Sequence, residues 1–261
     1  MYYFTIGAIF KNESHILKEW LDHYFFHGVE HIYLINDNST DKFLEILKPY
    51  IVKNMVTLYT TPNDNFNGGV WPQAQYYNIY FQKHLKDSKW FGILDLDEFL
   101  YSPLDIDLKN ILRKYENEEQ LNINWVHFGS NDHINQPNLV VPNFTMRGEY
   151  NSKKNGPGGK YNSYKSIINC KFDNKPIQLG IHRHIKNNNK RDKNISFDLE
   201  NTPMLINHYA IQSKEIWKKK TKNSNIGNHY PGFIRNEELF MQMDVNDIED
   251  NRLKYQNEAI Y

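Results

Sequence analysis

The sequence has few of the features that mark several common classes of protein. Its single cysteine, Cys170, excludes an intrachain disulfide and any zinc site built from several cysteines. Neither sign of charge is in excess, because 31 Lys and Arg residues stand against 31 Asp and Glu residues. This balance removes the broad attraction that sequence-independent nucleic-acid binding requires, and we expect no nucleic-acid partner.

Long hydrophobic runs are also missing. No stretch approaches the roughly 18–20 apolar residues that cross a bilayer, so no transmembrane segment is predicted. The apolar residues 1–10 lack a basic segment and a small-residue cleavage site, which is typical of a buried strand rather than a signal peptide. We therefore expect a cytoplasmic protein. No feature of the sequence indicates an oligomeric state.

The chain does contain enough apolar material for a large core. Hydrophobic residues make up 39% and aromatic residues 15% of its 261 positions, which argues against global disorder. No internal repeat and no Pro- or Ser-rich linker divides it. We expect a single domain over residues 1–261.

Short apolar runs alternate with helical periodicities in the first half of the chain. Strands are predicted at 3–10, 31–35, 55–59 and 90–94, and helices at 13–27, 43–50 and 72–85. This alternation predicts right-handed crossovers and an α/β fold, with a mostly parallel sheet flanked by helices.

The second half is less regular and indicates a small antiparallel extension. Its predicted strands are 123–128, 166–172, 178–185 and 205–209, and its predicted helices are 107–116 and 214–222. Residues 62–69 and 135–160 are predicted to be loops because they are rich in Gly, Pro and Asn.

Polar clusters follow three of the predicted strands, at 11–13, 36–38 and 95–98. Ligands of parallel α/β sheets bind beyond the carboxyl ends of the strands, so we expect these clusters to border one crevice. Asp95 and Asp97 are two hard oxygen ligands one residue apart. They suit Mg²⁺ or Mn²⁺ already held by a diphosphate, although such triplets are often solvated loop acids.

The other candidates each have a structural alternative. Asp37 either forms an Asx-turn or accepts hydrogen bonds from a nucleotide base or ribose. Asn12 and Glu13 either begin the first helix or contact a nucleotide. His208 is either a buried structural histidine or a ligand. The basic helix at 214–222 is a solvated face unless one of its lysines points inward.

Several motifs together resemble a known family. They are residues 10–13 (Phe-Lys-Asn-Glu), 19–24 (Glu-Trp-Leu-Asp-His-Tyr), 28–33 (Gly-Val-Glu-His-Ile-Tyr), 37–41 (Asp-Asn-Ser-Thr-Asp), 91–99 (Phe-Gly-Ile-Leu-Asp-Leu-Asp-Glu-Phe), and 208–209 (His-Tyr) followed by Ser213. The combination resembles a nucleotide-sugar glycosyltransferase of the GT-A type, most like glycosyltransferase family 92 and its bacterial and viral relatives. The resemblance covers residues 3–100 well, and 120–133 and 205–220 in patches.

The resemblance implies a GT-A-like fold with a donor half at 1–130 and an acceptor half at 131–261 that includes a C-terminal helix. The implied substrates are a nucleoside-diphosphate sugar and a carbohydrate acceptor, and the implied cofactor is Mn²⁺ or Mg²⁺. The implied donor-binding residues are Asp37, Gln73, Asn78 and Asp95. Asn12 and Glu13 are added to them as donor-binding candidates because they lie at the expected mouth of the crevice. The implied metal ligands are Asp95, Asp97 and His208.

The resemblance also implies an inverting reaction, in which a general base deprotonates the acceptor hydroxyl. Asp132 is our candidate because it follows a predicted strand on the acceptor side, and Glu149 and His184 are alternatives. Two other functions stay open on the sequence alone. One is a nucleotidyltransferase acting on a sugar phosphate, and the other is an inactive sugar-binding module.

Overall fold

The computed structural model describes residues 1–62, 72–149, 164–172, 177–184, 192–194, 201–222 and 235–261. The strands are β1 Tyr2–Phe10, β2 His31–Asn36, β3 Val56–Thr60, β4 Ser88–Ile93, β5 Glu98–Tyr101, β6 Gln120–His127, β7 Met146–Arg147, β8 Tyr164–Asn169, β9 Asp192–Asn194, β10 Leu205–His208 and β11 Ile248–Glu249. The helices are α1 Ser14–Phe26, α2 Phe43–Val52, α3 Pro72–Tyr80, α4 Leu108–Leu112, α5 Lys214–Lys222, α6 Glu237–Met243 and α7 Arg252–Gln256. Short 3₁₀ helices cover Gln82–Asp87, Arg113–Tyr115, Cys170–Phe172 and Asn257–Ile260.

The main sheet has the strand order β3-β2-β1-β4-β8-β6-β10-β5, with β9 paired to β6. β1, β2, β3 and β4 pair in parallel, as do β6 with β9 and β6 with β10. β8 is antiparallel to both β4 and β6, and β5 is antiparallel to β10. The α/β fold with a mostly parallel sheet and an antiparallel part in its second half is therefore confirmed.

The sheet directions bring two distant parts of the chain to one edge. Because β4 and β6 both run antiparallel to β8, they run in the same direction. β10 is parallel to β6, so its last residue, His208, lies at the same edge as the carboxyl ends of β1 and β4. Residues 11–13, 95–98 and 208 thus meet, although up to about 200 positions separate them.

Helix α1 covers one face of the sheet and fixes the turn after β4. Its Trp20 and Tyr24 are completely buried. Trp20 Nε1 donates to the carbonyl oxygens of Asp95 at 3.0 Å and Glu98 at 3.1 Å, while Tyr24 Oη donates to Glu98 O at 2.8 Å. The backbone of the Asp95–Glu98 turn is therefore held by the core.

The opposite face is closed by α3 and the 3₁₀ helix that follows it. The ring of Phe81 packs directly on β1 at Gly7, where a Cβ atom would lie 2.6 Å from Phe81 Cε2. Only glycine allows this approach without displacing the ring. The close contact brings α3, which carries Gln73, next to the carboxyl end of β1.

A buried polar cluster ties the end of α1 to the C-terminal segment. The rings of His23 and His27 lie 4.3 Å apart, and both contact the Asn257 side chain. Asn257 Oδ1 is 2.9 Å from His27 Nε2, and its Nδ2 is 3.1 Å from His23 Nδ1. His23 Nε2 also pairs with Leu100 O at 2.8 Å.

Four predicted elements need correction. The helix predicted at 72–85 ends at Tyr80 and is followed by a 3₁₀ helix, and the one predicted at 107–116 is likewise divided. The strand predicted at 166–172 is β8 and ends at Asn169. No strand forms at 177–184, because Asn78 bonds to both the N–H and the carbonyl of Leu179, the groups that a strand would use.

The short strands β5, β7, β9 and β11 were not predicted, and no bounds were predicted for helices α6 and α7. Most of the predicted loop at 62–69, and 150–160 of the one at 135–160, lie outside the described residues. Within the described part of the chain, no helix has the length and apolar character needed to cross a membrane.

Candidate active site

A cavity of about 380 Å³ opens where the ends of β1, β4 and β10 meet. Its lining includes five of the predicted site residues, Glu13, Gln73, Asp95, Asp97 and His208. It also includes Lys11, which belongs to the predicted polar cluster at 11–13. Five further lining residues were not assigned to the site by the sequence reasoning: Trp125, His182, Trp217, Lys220 and Arg235. A second cavity of about 440 Å³ adjoins it at Lys11, Glu13 and Lys220, and Asn12 lines that one.

Asp95 is paired with a buried cation. Its Oδ2 atom accepts from Lys165 Nζ at 2.8 Å, and its Oδ1 atom accepts from Gln73 Nε2 at 3.4 Å. Lys165 also lies 3.5 Å from Glu98 Oε2, which accepts the backbone N–H of Asp95 at 2.8 Å. Burial lowers the pKa of Lys165, but the charges of Asp95 and Glu98 outweigh that effect and raise it.

Asp97 faces a second cation and a histidine. Its Oδ2 atom accepts from Lys220 Nζ at 3.0 Å, and its Oδ1 atom lies 3.5 Å from His208 Nε2. Burial raises the pKa of Asp97, yet the charge of Lys220 and the contact with His208 bring it well below its usual range. The Asp97 carbonyl accepts the Tyr209 N–H at 2.8 Å, which ties the end of β10 to the Asp95–Asp97 turn.

Glu13 adds a third carboxyl group to this wall. Its side chain is about one-fifth exposed, and its Oε2 atom lies 3.6 Å from His15 Nε2. Burial raises the pKa of Glu13 to about 7, with Lys220 opposing the shift and Asp97 adding to it.

Asp37 follows β2 and lines neither cavity, but it contacts Lys11, which lines both, and its carboxylate is held in place. Thr61 Oγ1 donates to Asp37 Oδ1 at 2.9 Å, and Lys11 Nζ lies 3.5 Å from Oδ2. The turn is instead stabilised by Asn36, whose Oδ1 accepts the Ser39 N–H at 2.8 Å. The Asx-turn alternative therefore applies to Asn36 and not to Asp37.

Asn12 does not cap the first helix. Its Oδ1 atom accepts the Thr40 N–H at 2.7 Å, while Asp41 Oδ2 accepts the Ser14 N–H at 2.7 Å at the start of α1. Asn12 has a positive φ of 56°, which asparagine tolerates better than most residues. These contacts join the loop after β2 to the loop after β1.

Gln73 and Asn78, both on α3, have different positions. Gln73 Nε2 lies 2.6 Å from Tyr77 Oη as well as near Asp95, so this side chain faces the cavity. Asn78 Nδ2 donates to Ala74 O and Leu179 O, and its Oδ1 accepts the Leu179 N–H. Asn78 is not among the residues that line either cavity, and its contacts are those of a structural residue.

None of the three candidate bases lines either cavity. Asp132 is exposed in a turn, has a φ of 58°, and its N–H donates to Ser130 Oγ at 3.1 Å. Glu149 is also exposed. His184 is buried, with Nε2 3.1 Å from Ser166 O and Nδ1 accepting the Gly180 N–H at 3.3 Å.

The described residues contain no group of three or more His, Cys, Asp or Glu side chains arranged to hold a metal ion. The nearest arrangement is the pair of Asp97 Oδ1 and His208 Nε2, 3.5 Å apart at the cavity wall. Asp95 is directed toward Lys165 instead. All three residues of the predicted metal set line one cavity, Asp97 and His208 lie together, and each of the two acids is paired with a lysine.

The sequence reasoning missed the cations of the site. Lys165 lies on β8 among buried residues, just before the start of the predicted strand 166–172, and its strand of mixed composition gives no local signal of the site. Lys220 does point inward, which was the condition set for a role of the basic helix. Its neighbours Lys218 and Lys219 remain exposed.

Comparison with known protein families identifies the family of this chain. The family model of glycosyltransferase family 92 matches residues 2–244. Because the match covers most of the chain, the protein belongs to glycosyltransferase family 92. The mostly parallel sheet flanked by helices, with its small antiparallel part, is the GT-A-like fold that the resemblance implied.

Similar proteins occur in plants. A glycosyltransferase family 92 protein from Oryza sativa subsp. japonica is 23% identical over 227 residues, which cover 82% of this chain and 34% of that protein. One from Ricinus communis is 22% identical over 82% of this chain and 36% of its own length. The galactan beta-1,4-galactosyltransferase GALS2 of Arabidopsis thaliana is 25% identical over 44% of this chain and 23% of its own. The chain spans about a third of the length of the two family-92 proteins.

Among solved structures, residues 1–349 of S. aureus TarS are similar over 98% of this chain and 72% of that one, with 11% identity and a TM-score of 0.44. The same TarS residues in complex with UDP match over 64% of this chain and 47% of that one, with 16% identity and a TM-score of 0.37.

Proposed function

We propose that this protein is a glycosyltransferase that moves a sugar from a nucleoside-diphosphate sugar to a hydroxyl group of a glycan or another acceptor. One observation carries the proposal. Asp95 and Asp97 stand side by side at the carboxyl edge of the sheet, each paired with a buried lysine beside one cavity. Membership in glycosyltransferase family 92 supports the reaction class.

The charges of the cavity suit a diphosphate. Lys11, Lys220 and Arg235 line it beside the three acids Glu13, Asp95 and Asp97, so it offers both cations and ligands for a metal ion. Its volume of about 380 Å³ falls within the range of small-ligand sites. Breaking the bond between sugar and phosphate leaves negative charge on the diphosphate, and cationic groups placed beforehand stabilise that charge. Asp97 orients Lys220, and Asp37 lies 3.5 Å from Lys11, before the donor arrives.

The residues present fit a divalent ion in part. Asp97 and His208 offer a hard oxygen and an imidazole nitrogen on the same wall, a combination that suits Mn²⁺ better than Mg²⁺. We propose that these two residues hold the ion together with phosphate oxygens of the donor. When bound, the ion acts as a Lewis acid toward the leaving diphosphate.

We place the nucleoside of the donor toward Asp37. The contacts with Thr61 and Lys11 fix this carboxylate near the carboxyl ends of β1 and β2, where nucleotides bind in parallel α/β sheets. An oriented carboxylate accepts hydrogen bonds from a base or a ribose. Gln73 contacts Asp95 and lines the same cavity, so we place it within reach of the diphosphate.

A donor panel tests the proposal. The protein is incubated with individual nucleotide sugars, with and without Mn²⁺, and the products are identified. We expect at least one donor to release its nucleoside diphosphate in a Mn²⁺-dependent manner, with loss of activity in Asp97→Asn and retention in the exposed-surface control Lys218→Met. NMR of the glycoside product then tests inversion at the anomeric carbon.

Other outcomes would contradict the proposal. Release of inorganic pyrophosphate from a nucleoside triphosphate and a sugar phosphate would identify a nucleotidyltransferase. Saturable sugar binding without turnover of any donor would identify an inactive binding module.

A further inference from the structure

Lys220 has surroundings unlike those of the other lysines of α5. Its side chain is 11% exposed, and its Nζ atom donates to Asp97 Oδ2 at 3.0 Å and to the carbonyl of Ala210 at 3.2 Å. Lys219 is 61% exposed and pairs with Glu215 one turn away. Lys220 therefore belongs to the site, while the rest of the basic face is solvated.

Its ammonium group occupies a carboxylate oxygen that a metal ion would also use. Lys220 is bonded to Asp97 Oδ2, while Oδ1 faces His208 Nε2. A divalent cation at Asp97 would stand within a few ångströms of the ammonium charge, and like charges at that distance repel strongly in a buried site. The ion pair and the metal therefore compete for Asp97.

Comparison with Lys165 explains why Lys220, and not Lys165, can exchange its carboxylate partner. Lys165 is only 1% exposed and lies between Asp95 and Glu98. Lys220 instead lines both adjoining cavities and has one direct carboxylate partner among the described residues. Its flexible stem can bring the ammonium group from Asp97 to a ligand in either cavity without crossing the core.

We propose that Lys220 is a catalytic residue that exchanges its partner on donor binding, from Asp97 to an oxygen of the donor's diphosphate. This inference rests on the proposed function. In the donor-free protein Lys220 neutralises Asp97. In the donor complex it binds the diphosphate and leaves Asp97 to the metal ion.

The exchange places a positive charge where negative charge develops. During transfer the bond between C1 and the phosphate oxygen breaks, and its electron pair stays on the diphosphate. A new bond forms between C1 and the acceptor oxygen, whose proton passes to a general base. Lys220 stays protonated throughout and stabilises the leaving group by a charge-assisted hydrogen bond.

The proposal predicts coupled binding. Mn²⁺ alone must displace Lys220 and binds weakly, whereas a nucleoside diphosphate draws Lys220 away and strengthens Mn²⁺ binding. By linkage, Mn²⁺ strengthens nucleotide binding by the same factor. Lys220→Met removes the competitor, so the variant should bind Mn²⁺ alone more tightly and the nucleoside diphosphate more weakly.

Titration calorimetry tests this with Mn²⁺ alone, and with the tightest-binding of UDP, GDP, CDP and ADP at saturating Mn²⁺. For Lys220→Met we expect at least a threefold gain in affinity for Mn²⁺ alone. We expect a loss of about 10- to 100-fold in nucleotide affinity, the size of one hydrogen bond between charged groups. Lys218→Met, on the exposed face of the same helix, should match the wild type in both.

A second pair of variants keeps the test valid if Lys220→Met folds poorly. Asp97→Asn weakens the hold on Lys220, so metal-free nucleotide affinity should rise above that of the wild type. The rise should vanish in the double variant Asp97→Asn/Lys220→Met. Unchanged nucleotide affinity in Lys220→Met, or an equal rise in the double variant, would overturn the exchange. If wild-type protein bound none of the four nucleotides with Mn²⁺, the proposed function itself would fail instead.

Discussion

The ammonium group of Lys165 lies 2.8 Å from the carboxylate of Asp95, although 70 positions separate the two residues. Lys165 is on β8, and Asp95 is in the turn after β4. The two strands pair antiparallel in the middle of the sheet. The contact fixes the orientation of the first acid of the Asp-Leu-Asp turn. The second acid, Asp97, remains at the cavity wall with His208.

Lys165→Met should destabilise the protein. The change leaves the Asp95 carboxylate without its nearest cation, and it removes the charge that opposes the burial-raised pKa of Glu98. A charged group that loses its hydrogen-bonded partner typically costs about 1–3 kcal/mol. Urea unfolding measures the free energy of unfolding. The exposed Lys218→Met should stay within about 0.5 kcal/mol of the wild type. Equal stability of the two variants would show that the Lys165 contacts contribute nothing.

His208→Ala should discriminate between metals. Removing an imidazole ligand weakens Mn²⁺ more than Mg²⁺, because Mg²⁺ prefers oxygen ligands. We expect the Mn²⁺-supported donor turnover to fall more steeply than the Mg²⁺-supported turnover. His184→Ala serves as the control, since His184 bonds to backbone groups and does not line the cavity. An equal loss with both metals would remove His208 from the metal site.

Asp132→Asn should keep most of the activity. The Asp132 side chain is exposed and lines neither cavity, so we place it outside the reacting centre. We expect kcat within about threefold of the wild type, whereas loss of a general base costs on the order of 10²–10⁴-fold. A loss in that larger range, with unchanged nucleotide affinity, would restore Asp132 as the base.

Acid should lower the stability of the fold through the buried cluster of His23, His27 and Asn257 at the end of α1. Burial, with a smaller effect from His27, holds the pKa of His23 well below its usual value of about 6.5. The unfolded chain therefore takes up a proton below about pH 6.5 that the folded protein refuses, and the free energy of unfolding falls as pH falls. His23→Phe should flatten this dependence by up to about 1.4 kcal/mol per pH unit.

Urea unfolding at pH 7, 6 and 5 measures the effect. Because Glu13 and Glu19 are present in both proteins, the difference between wild type and His23→Phe reports His23 and not these two acids. The pKa of each acid is raised to about 7, which gives a slope of opposite sign between about pH 4.5 and 7. Parallel curves for wild type and His23→Phe would contradict the assignment to His23.

Much of the donor half could be predicted because its signals are local. β1, β2, β3 and β4 are apolar runs bounded by polar turns, and they are found within one or two residues of the predicted positions. The polar clusters after β1 and β4 do meet, since parallel strands end at one edge. His208 also joins them, as the resemblance implied.

The rest depends on contacts between distant residues. The strand predicted at 178–185 failed because Asn78, about 100 positions away, takes the backbone groups of Leu179. The two lysines of the site were missed for the same reason. Nothing next to Lys165 or Lys220 in the sequence indicates the acids that they meet, and pairing across the sheet alone brings them together.

A crystal structure with a nucleoside diphosphate and Mn²⁺ tests the central claim most directly, because it locates the diphosphate and, by anomalous scattering, the metal. The account predicts Mn²⁺ within ligand distance of Asp97 and His208. It also predicts the diphosphate in the same cavity, with Lys220 Nζ on a phosphate oxygen and Asp37 beside the nucleoside. A nucleotide bound away from the carboxyl edge of β1 and β4, or a metal ion that does not contact Asp97, would contradict it.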